Sequence, residues 1–331
     1  MSEAKIYEAV RKQREAIERG EVSMLRELTR NWIPGYMKLD KRIRELTEYI
    51  EAERKAGREP QMSYFYALDR YKKMMAEARE AVAQYNKAAA GIISGQEADA
   101  VQIGAENARE LITMEADDPM WTRINKRETR IMTGMLSDES PLNDLLAQSW
   151  PEMQQELNSA LLAGITTGQS PLWIADQMRK AAGVPQKRAL LIARTEVNRA
   201  YRAANLETMR SSRAVKGYRR LCYKPTACFA CLMLDGEYYD KKEDFSDHPN
   251  GKCSAVPVTK RYDPGNEKDW VKGMDWFEEL SPDRQRSLMG PKRFELWQQG
   301  KVELEDMVTI KENDLWGGSP TVIPLKKLLD K

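Results

Sequence analysis

The sequence predicts a mainly α-helical protein, α+β overall, with a helical amino-terminal region, a helical core carrying a small β insert, and a short helical carboxyl-terminal part. Three observations predict it. Glycine and proline are sparse over the first 135 residues, which suits long helices. Apolar residues recur there at helical spacing. Residues 222–258 then gather all four cysteines and the single histidine. A length of 331 residues suggests two or three domains. The divisions expected are a helical region with coiled-coil-like hairpins over 1–135, the core over 136–310, and an extended tail over 311–331.

Each element has its own signal. Ile6, Val10 and Ile17 mark a first helix, which Pro34-Gly35 is expected to end. Leu39, Ile43, Leu46 and Ile50, spaced 4, 3 and 4, form a narrow apolar seam on the next. After a stop at Gly57 to Pro60, a further helix carries Phe65, Leu68, Tyr71, Met75, Ala78, Val82 and Tyr85 on one face. Breaks are expected at Gly91-Ile-Ile-Ser-Gly95 and at Asp117-Asp118-Pro119. A second helical block starts near Pro141, with Leu142, Leu145 and Leu146 leading into Met153, Leu157, Leu161 and Leu162. Gly164-Ile-Thr-Thr-Gly168 reads as a turn, and Ser170-Pro171 opens a new helix, serine as N-cap and proline at its first position. That helix ends near Gly183, and another starts around Pro185. Later, Ser281-Pro282 and Pro291 each open a short helix, stopped at Gly290 and Gly300.

The middle segment carries the chemistry. Cys228-x2-Cys231 is followed, after sixteen residues, by His248-x4-Cys253. Thiolate sulfur and imidazole nitrogen are the ligands zinc prefers, and four fill a tetrahedral shell. The spacing therefore predicts a closed, structural, zinc-ribbon-like knot over 222–258, with Cys222 as a substitute ligand. Leu232 to Tyr239 reads as strand, turn, strand around Asp235-Gly236, and Val256 to Tyr262 as a closing strand.

Other chemistries are excluded by what is missing. The first residues, Met1-Ser-Glu-Ala-Lys, place charges where a signal peptide needs an apolar core, so a secreted disulfide framework is not expected. A zinc deaminase needs an H-x-E upstream of its P-C-x-x-C, and none exists. With one histidine spent on a metal, none remains for a Ser-His-Asp or Cys-His arrangement. No glycine-rich phosphate loop follows a strand. No catalytic residue is expected, and no small-molecule substrate. No apolar run approaches the roughly 18 residues of a membrane span, so no membrane partner is expected.

The charged fraction is 31% and the formal net charge only +2, yet one stretch over 185–220 is basic. Lys187, Arg188, Arg194, Arg199, Arg202, Arg210, Arg213, Lys216, Arg219 and Arg220 face only Glu196 and Glu207 in sequence. Such a helix could track double-stranded DNA by neutralising phosphates. The alternatives are an ordinary solvated face, or one paired with the acidic loop Asp235 to Asp247.

The ordered combination of motifs resembles the phage head morphogenesis family, the Mu F-type minor head proteins of tailed phages. The motifs are Gly164-Ile-Thr-Thr-Gly-Gln-Ser170; Ile192-Ala-Arg-Thr-Glu-Val-Asn-Arg-Ala200; the Cys228 to Cys253 set with Leu234-Asp-Gly236; and Leu288-Met-Gly-Pro-Lys-Arg-Phe-Glu-Leu-Trp297. Together they cover roughly residues 140–310. The family pattern usually reads H-P-N-C-R-C, and Gly251 stands here at its first cysteine. That leaves Cys228, Cys231, His248 and Cys253 as one shell without redundancy. The resemblance implies a virion protein of the capsid interior or portal vertex, made in the host cytoplasm. Its implied partners are the portal protein and other capsid components, and its implied work is capsid assembly and DNA packaging or ejection. The alternatives are a zinc-stabilised DNA-binding protein and an effector enzyme carried in the virion.

Overall fold

The computed structural model describes residues 3–58, 60–61, 69–115, 141–266, 270–312 and 318–329. Among them the chain is mainly helical. Six helices come first: α1 (Glu3–Lys55), α2 (Asp69–Glu115), α3 (Pro141–Ala147), α4 (Ser149–Thr166), α5 (Pro171–Ala182) and α6 (Val184–Ser211). Then follow β1 (Val215–Leu221), α7 (Phe229–Met233), β2 (Tyr238–Asp240), β3 (Ser254–Thr259), α8 (Gly273–Glu278), α9 (Pro282–Met289) and α10 (Pro291–Gln298). The last elements are β4 (Val308–Lys311), β5 (Ser319–Val322) and α11 (Leu325–Leu329). Two compact units share these elements: one built from 1–19, 97–133 and 195–331, the other from 20–96 and 134–194. The unit boundaries fall inside α1, α2 and α6.

The second unit is all helical. Along α1, Met24, Leu28, Trp32, Leu39, Ile43, Leu46 and Ile50 are buried, and along α2 so are Met74, Ala78, Val82 and Tyr85. The rings of Trp32 and Tyr85 lie 5.0 Å apart, and Trp32 Nε1 donates to the Ala182 carbonyl at 3.1 Å. Arg42 makes a two-pronged pair with Glu77, its Nε and Nη2 at 2.9 and 2.8 Å from the carboxylate. At the start of α5, Ser170 caps the helix by accepting from the Trp173 N–H, with Pro171 at the first position as expected.

Four expectations for the helices are corrected. Pro34 does not end a helix; α1 runs through it. A proline in mid-helix costs about 3 kcal/mol or more through its missing N–H and ring clash, but the apolar stripe buried on both sides of Pro34 outweighs that cost. Gly91 and Gly95 likewise lie within α2 rather than breaking it. Met74, not Met75, is the buried methionine of that stripe, and Leu162 is largely exposed at 46%. Phe65, Leu68 and the break at Asp117-Asp118-Pro119 lie outside the described residues.

The first unit holds a three-stranded antiparallel sheet in the order β2-β1-β3. Central β1 pairs Tyr218 with Tyr239 on one side and with Pro257 on the other, and Leu221 with Ser254 at its end. Val215, Tyr218 and Ala255 pack with Leu206 and Met209 of α6 and Ala108 and Ile112 of α2. Leu221 and Val256 pack with Ile6, Val10 and Trp270. A further core joins Phe229, Leu232 and Met233 to Phe277, Met289, Met307 and Leu328. The expected strand before Asp235-Gly236 is instead helix α7, because Phe229, Leu232 and Met233 all face this core, an arrangement that alternating strand residues cannot supply. The turn itself stands, with Gly236 at φ 85°. The extended tail expected over 311–331 is also corrected. Residues 318–329 form β5, paired antiparallel with β4, and α11, whose Leu328 is buried in this core.

Candidate metal centre

The four expected ligands come from three pieces of backbone. Cys228 is the N-cap of α7 and Cys231 lies on its first turn, so the i, i+3 spacing puts both sulfurs on one face. His248 begins a tight turn in which the Gly251 N–H donates to the His248 carbonyl at 2.8 Å. Pro249 and Asn250 are its central residues, and Asn250 takes φ 62°, the left-handed conformation that asparagine tolerates best after glycine. Cys253 immediately precedes β3, where pairing to β1 fixes it.

Three of the four side chains, Cys228, Cys231 and His248, come together, while Cys253 is grouped with Cys231 and Asp247 instead. Nε2 of His248 lies 3.3 Å from Cys228 Sγ and 3.3 Å from Cys231 Sγ. A tetrahedral zinc ion with Zn–S near 2.3 Å and Zn–N near 2.05 Å has sulfur–nitrogen edges of about 3.6 Å, so these separations fit. The Pro249 carbonyl lies 2.9 Å from Nδ1 of His248. A carbonyl only accepts, so Nδ1 carries a proton, and Nε2 is the ring nitrogen that faces the sulfurs. Cys228, Cys231 and His248 form one group able to hold a metal ion; Cys231, Cys253 and Asp247 form a second, overlapping group. Cys231 belongs to both. Hydrogen bonds from Cys231 and then His248 push the Cys228 thiol down to about 4, against its burial. His248 is pushed up to about 9, first by its bond to Cys228. Cys228 is thus predisposed to the thiolate state that metals bind, whereas hydrogen bonds to Cys228 and Cys253 push the Cys231 thiol up.

Cys222 joins neither group. Its backbone N–H donates to Asp235 Oδ1 at 2.6 Å, and burial pushes its thiol up. Asp247, named in sequence only as the end of an acidic loop, sits at the centre of the site's surroundings. Its Oδ2 accepts from Arg202 Nη1 at 2.9 Å, and its Oδ1 from Arg220 Nη2 at 3.1 Å and from the His248 N–H at 3.0 Å. Arg202 Nη1 also reaches the Gly251 carbonyl at 2.9 Å, and Arg220 Nη1 the Ser246 carbonyl at 2.6 Å. Arg220 Nη2 is 3.7 Å from Cys231 Sγ. Both guanidiniums lie over the Phe245 ring, at 4.7 Å for Arg220 and 5.6 Å for Arg202. A carboxylate flanked by arginines far upstream gives no local spacing signal. Beside the ligands opens a cavity of about 1080 Å³, whose wall includes Cys228, His248, Arg11, Arg14 and Lys252.

The basic stretch does not form one free surface. Arg202 and Arg220 are turned inward to Asp247 and cannot present their guanidiniums to a phosphate backbone. Arg219 pairs with Asp263 at 2.6 Å, Arg210 with Asp244 at 2.7 Å, Arg188 with Glu152 at 2.9 Å and Arg199 with Glu196 at 3.2 Å. Arg194 is also engaged. Lys187, Arg213 and Lys216 are exposed. Pairing with the acidic loop, one of the alternatives for this stretch, accounts for Arg202, Arg210 and Arg220. No described helix is long and apolar enough to cross a membrane.

Comparison with curated proteins and with solved structures gives no match. One family model does match: residues 155–256 fit the family described as Phage Mu protein F like protein. The matched segment starts inside α4, ends within β3 and contains Cys228, Cys231, His248 and Cys253 together with Arg202, Arg220 and Asp247. Over residues 155–256, about a third of the chain, the sequence is similar to the phage Mu F-like family, the same family that the motif order resembles.

Proposed function

We propose that this protein is a minor head component of a phage virion, acting in capsid assembly and in DNA packaging or ejection through the portal. The observation that carries the reading is the match over residues 155–256, which encloses the whole Cys/His site. The role is structural rather than catalytic. What supports that reading is the single histidine, whose ring nitrogens both have near partners, Nδ1 a carbonyl and Nε2 two sulfurs. Zinc is the ion proposed for it, held by Cys228, Cys231, His248 and Cys253. The ion would join α7, the His248 turn and the start of β3, stapling the helix and the turn to the edge of the three-stranded sheet.

The test of function is association. The full chain, expressed with the portal protein and major capsid protein of its phage, should co-sediment with assembled particles at physiological salt. Particles that form normally and exclude the chain would refute the reading.

A further inference from the structure

Behind the ligands, Arg202, Asp247 and Arg220 are all but sealed from solvent, their side chains 6%, 0% and 2% exposed. Two guanidiniums meet one carboxylate there, which leaves one positive charge in the interior. A buried charge without a counter-charge is strongly unfavourable. Arg220 points the surplus at the site, with Nη2 beside Cys231 Sγ at 3.7 Å. A divalent ion held by three thiolates and a neutral imidazole carries one negative charge, the complement of that surplus.

We propose that Arg202, Asp247 and Arg220 are the buried outer shell of the metal centre, and that their charge selects the three-thiolate, one-imidazole ligand set while holding Asp247 out of the coordination sphere. The inference rests on the reading of the cluster as a metal centre. Asp247 is near enough to Cys231 and Cys253 to compete as a ligand. Turning it to the ion would take the acceptor from Arg202, from Arg220 and from the His248 N–H at once. Arg220 and Asp247 are thus positioning residues: they orient Cys231 and the His248 turn and match the charge of the loaded site.

The test uses the full chain with Co²⁺ alone as the probe. Sulfur-to-cobalt charge-transfer absorption grows with the number of thiolates bound, so the wild-type protein should show the intensity of three, and Cys253→Ser should lose about one third of it. Asp247→Asn and Arg220→Met should keep the wild-type spectrum while Co²⁺ affinity falls about 10- to 100-fold, and Arg220→Lys should recover part of the loss. A two-thiolate spectrum in the wild type, or unchanged affinity in both Asp247→Asn and Arg220→Met, overturns the proposal while leaving a metal centre in place. No Co²⁺ binding by the wild type removes the metal centre itself. Should the interior variants fail to fold by circular dichroism, the wild-type thiolate count and Cys253→Ser still decide.

Discussion

Gly251 yields its side-chain space to Asp247: a Cβ at position 251 would overlap the Asp247 carboxylate. The residue that replaces a cysteine of the family pattern is therefore matched to the acid four positions before it. Gly251→Ala should push the carboxylate off Arg202 and Arg220 and lower stability by about 1–3 kcal/mol, the usual cost of overpacking a tight interior. Urea denaturation of the two proteins measures it, and equal midpoints would contradict the packing described.

One zinc per chain is expected from elemental analysis of the purified protein. Structural zinc supplies roughly 10–16 kcal/mol of apparent binding energy in small domains. Cys231→Ser, which removes the sulfur shared by both donor groups, should abolish stoichiometric zinc and open the 222–258 segment to protease. Retention of zinc at one per chain by that variant would contradict the assignment.

Glu97, on α2, supplies a pH test. It is 2% exposed, its Oε2 has no hydrogen-bond partner among the described residues, and burial followed by the nearby Glu196 carboxylate pushes it up to about 8, against the Arg199 charge. Between the ordinary glutamate value of about 4.3 and about 8, the unfolded chain has released a proton that the folded chain keeps. Folded protein binds more protons there, so stability falls as pH rises through that window. Glu97→Gln should flatten this slope and gain on the order of a few kcal/mol at pH 8. Thermal melts at pH 5 and pH 8 should separate wild type from variant only at the higher pH.

Trp32 anchors the helical unit through the Tyr85 ring and the Ala182 carbonyl. Trp32→Ala should cost about 3–5 kcal/mol, read by chemical denaturation. Trp32→Phe, which keeps an aromatic ring but loses the pyrrole part of the indole with its N–H, should cost less.

Any DNA binding should be shallow in its salt dependence. With Lys187, Arg199, Arg213 and Lys216 as the exposed cations of the basic stretch, the slope of log affinity against log salt from this stretch should be no steeper than about −4. A slope near −9 would mean that all ten basic residues reach phosphate.

Helix starts were legible wherever a cap is local. Ser170-Pro171 and Ser281-Pro282 each open a helix in the structure, because the residues that stop and start the hydrogen-bond ladder adjoin in sequence. The grouping of Cys228 with Cys231 was legible for the same reason, since they occupy one turn, and His248 joins them while Cys253 falls in the overlapping group with Asp247. What surrounds the ligands was not. Asp247 gains its role from Arg202 on α6 and Arg220 on β1, and no spacing rule links residues that only tertiary folding brings together. Leu232 and Met233 were misread as strand because a short apolar run lacks the length to separate the two periods. Pro34 and Gly91 were misread as breaks because tertiary burial on the opposite face outweighs local propensity.

The pairing of Leu221 with Ser254 has a consequence for how the chain checks its own folding. Cys253 is the residue just before Ser254, so a slip of β3 by one position turns its sulfur to the opposite face of the sheet. The other three ligands stand on the segment between the two strands and do not feel that slip directly. A bound ion would therefore discriminate between registers, rewarding only the alignment that completes its shell, and would act as a proofreader of strand alignment as well as a clasp.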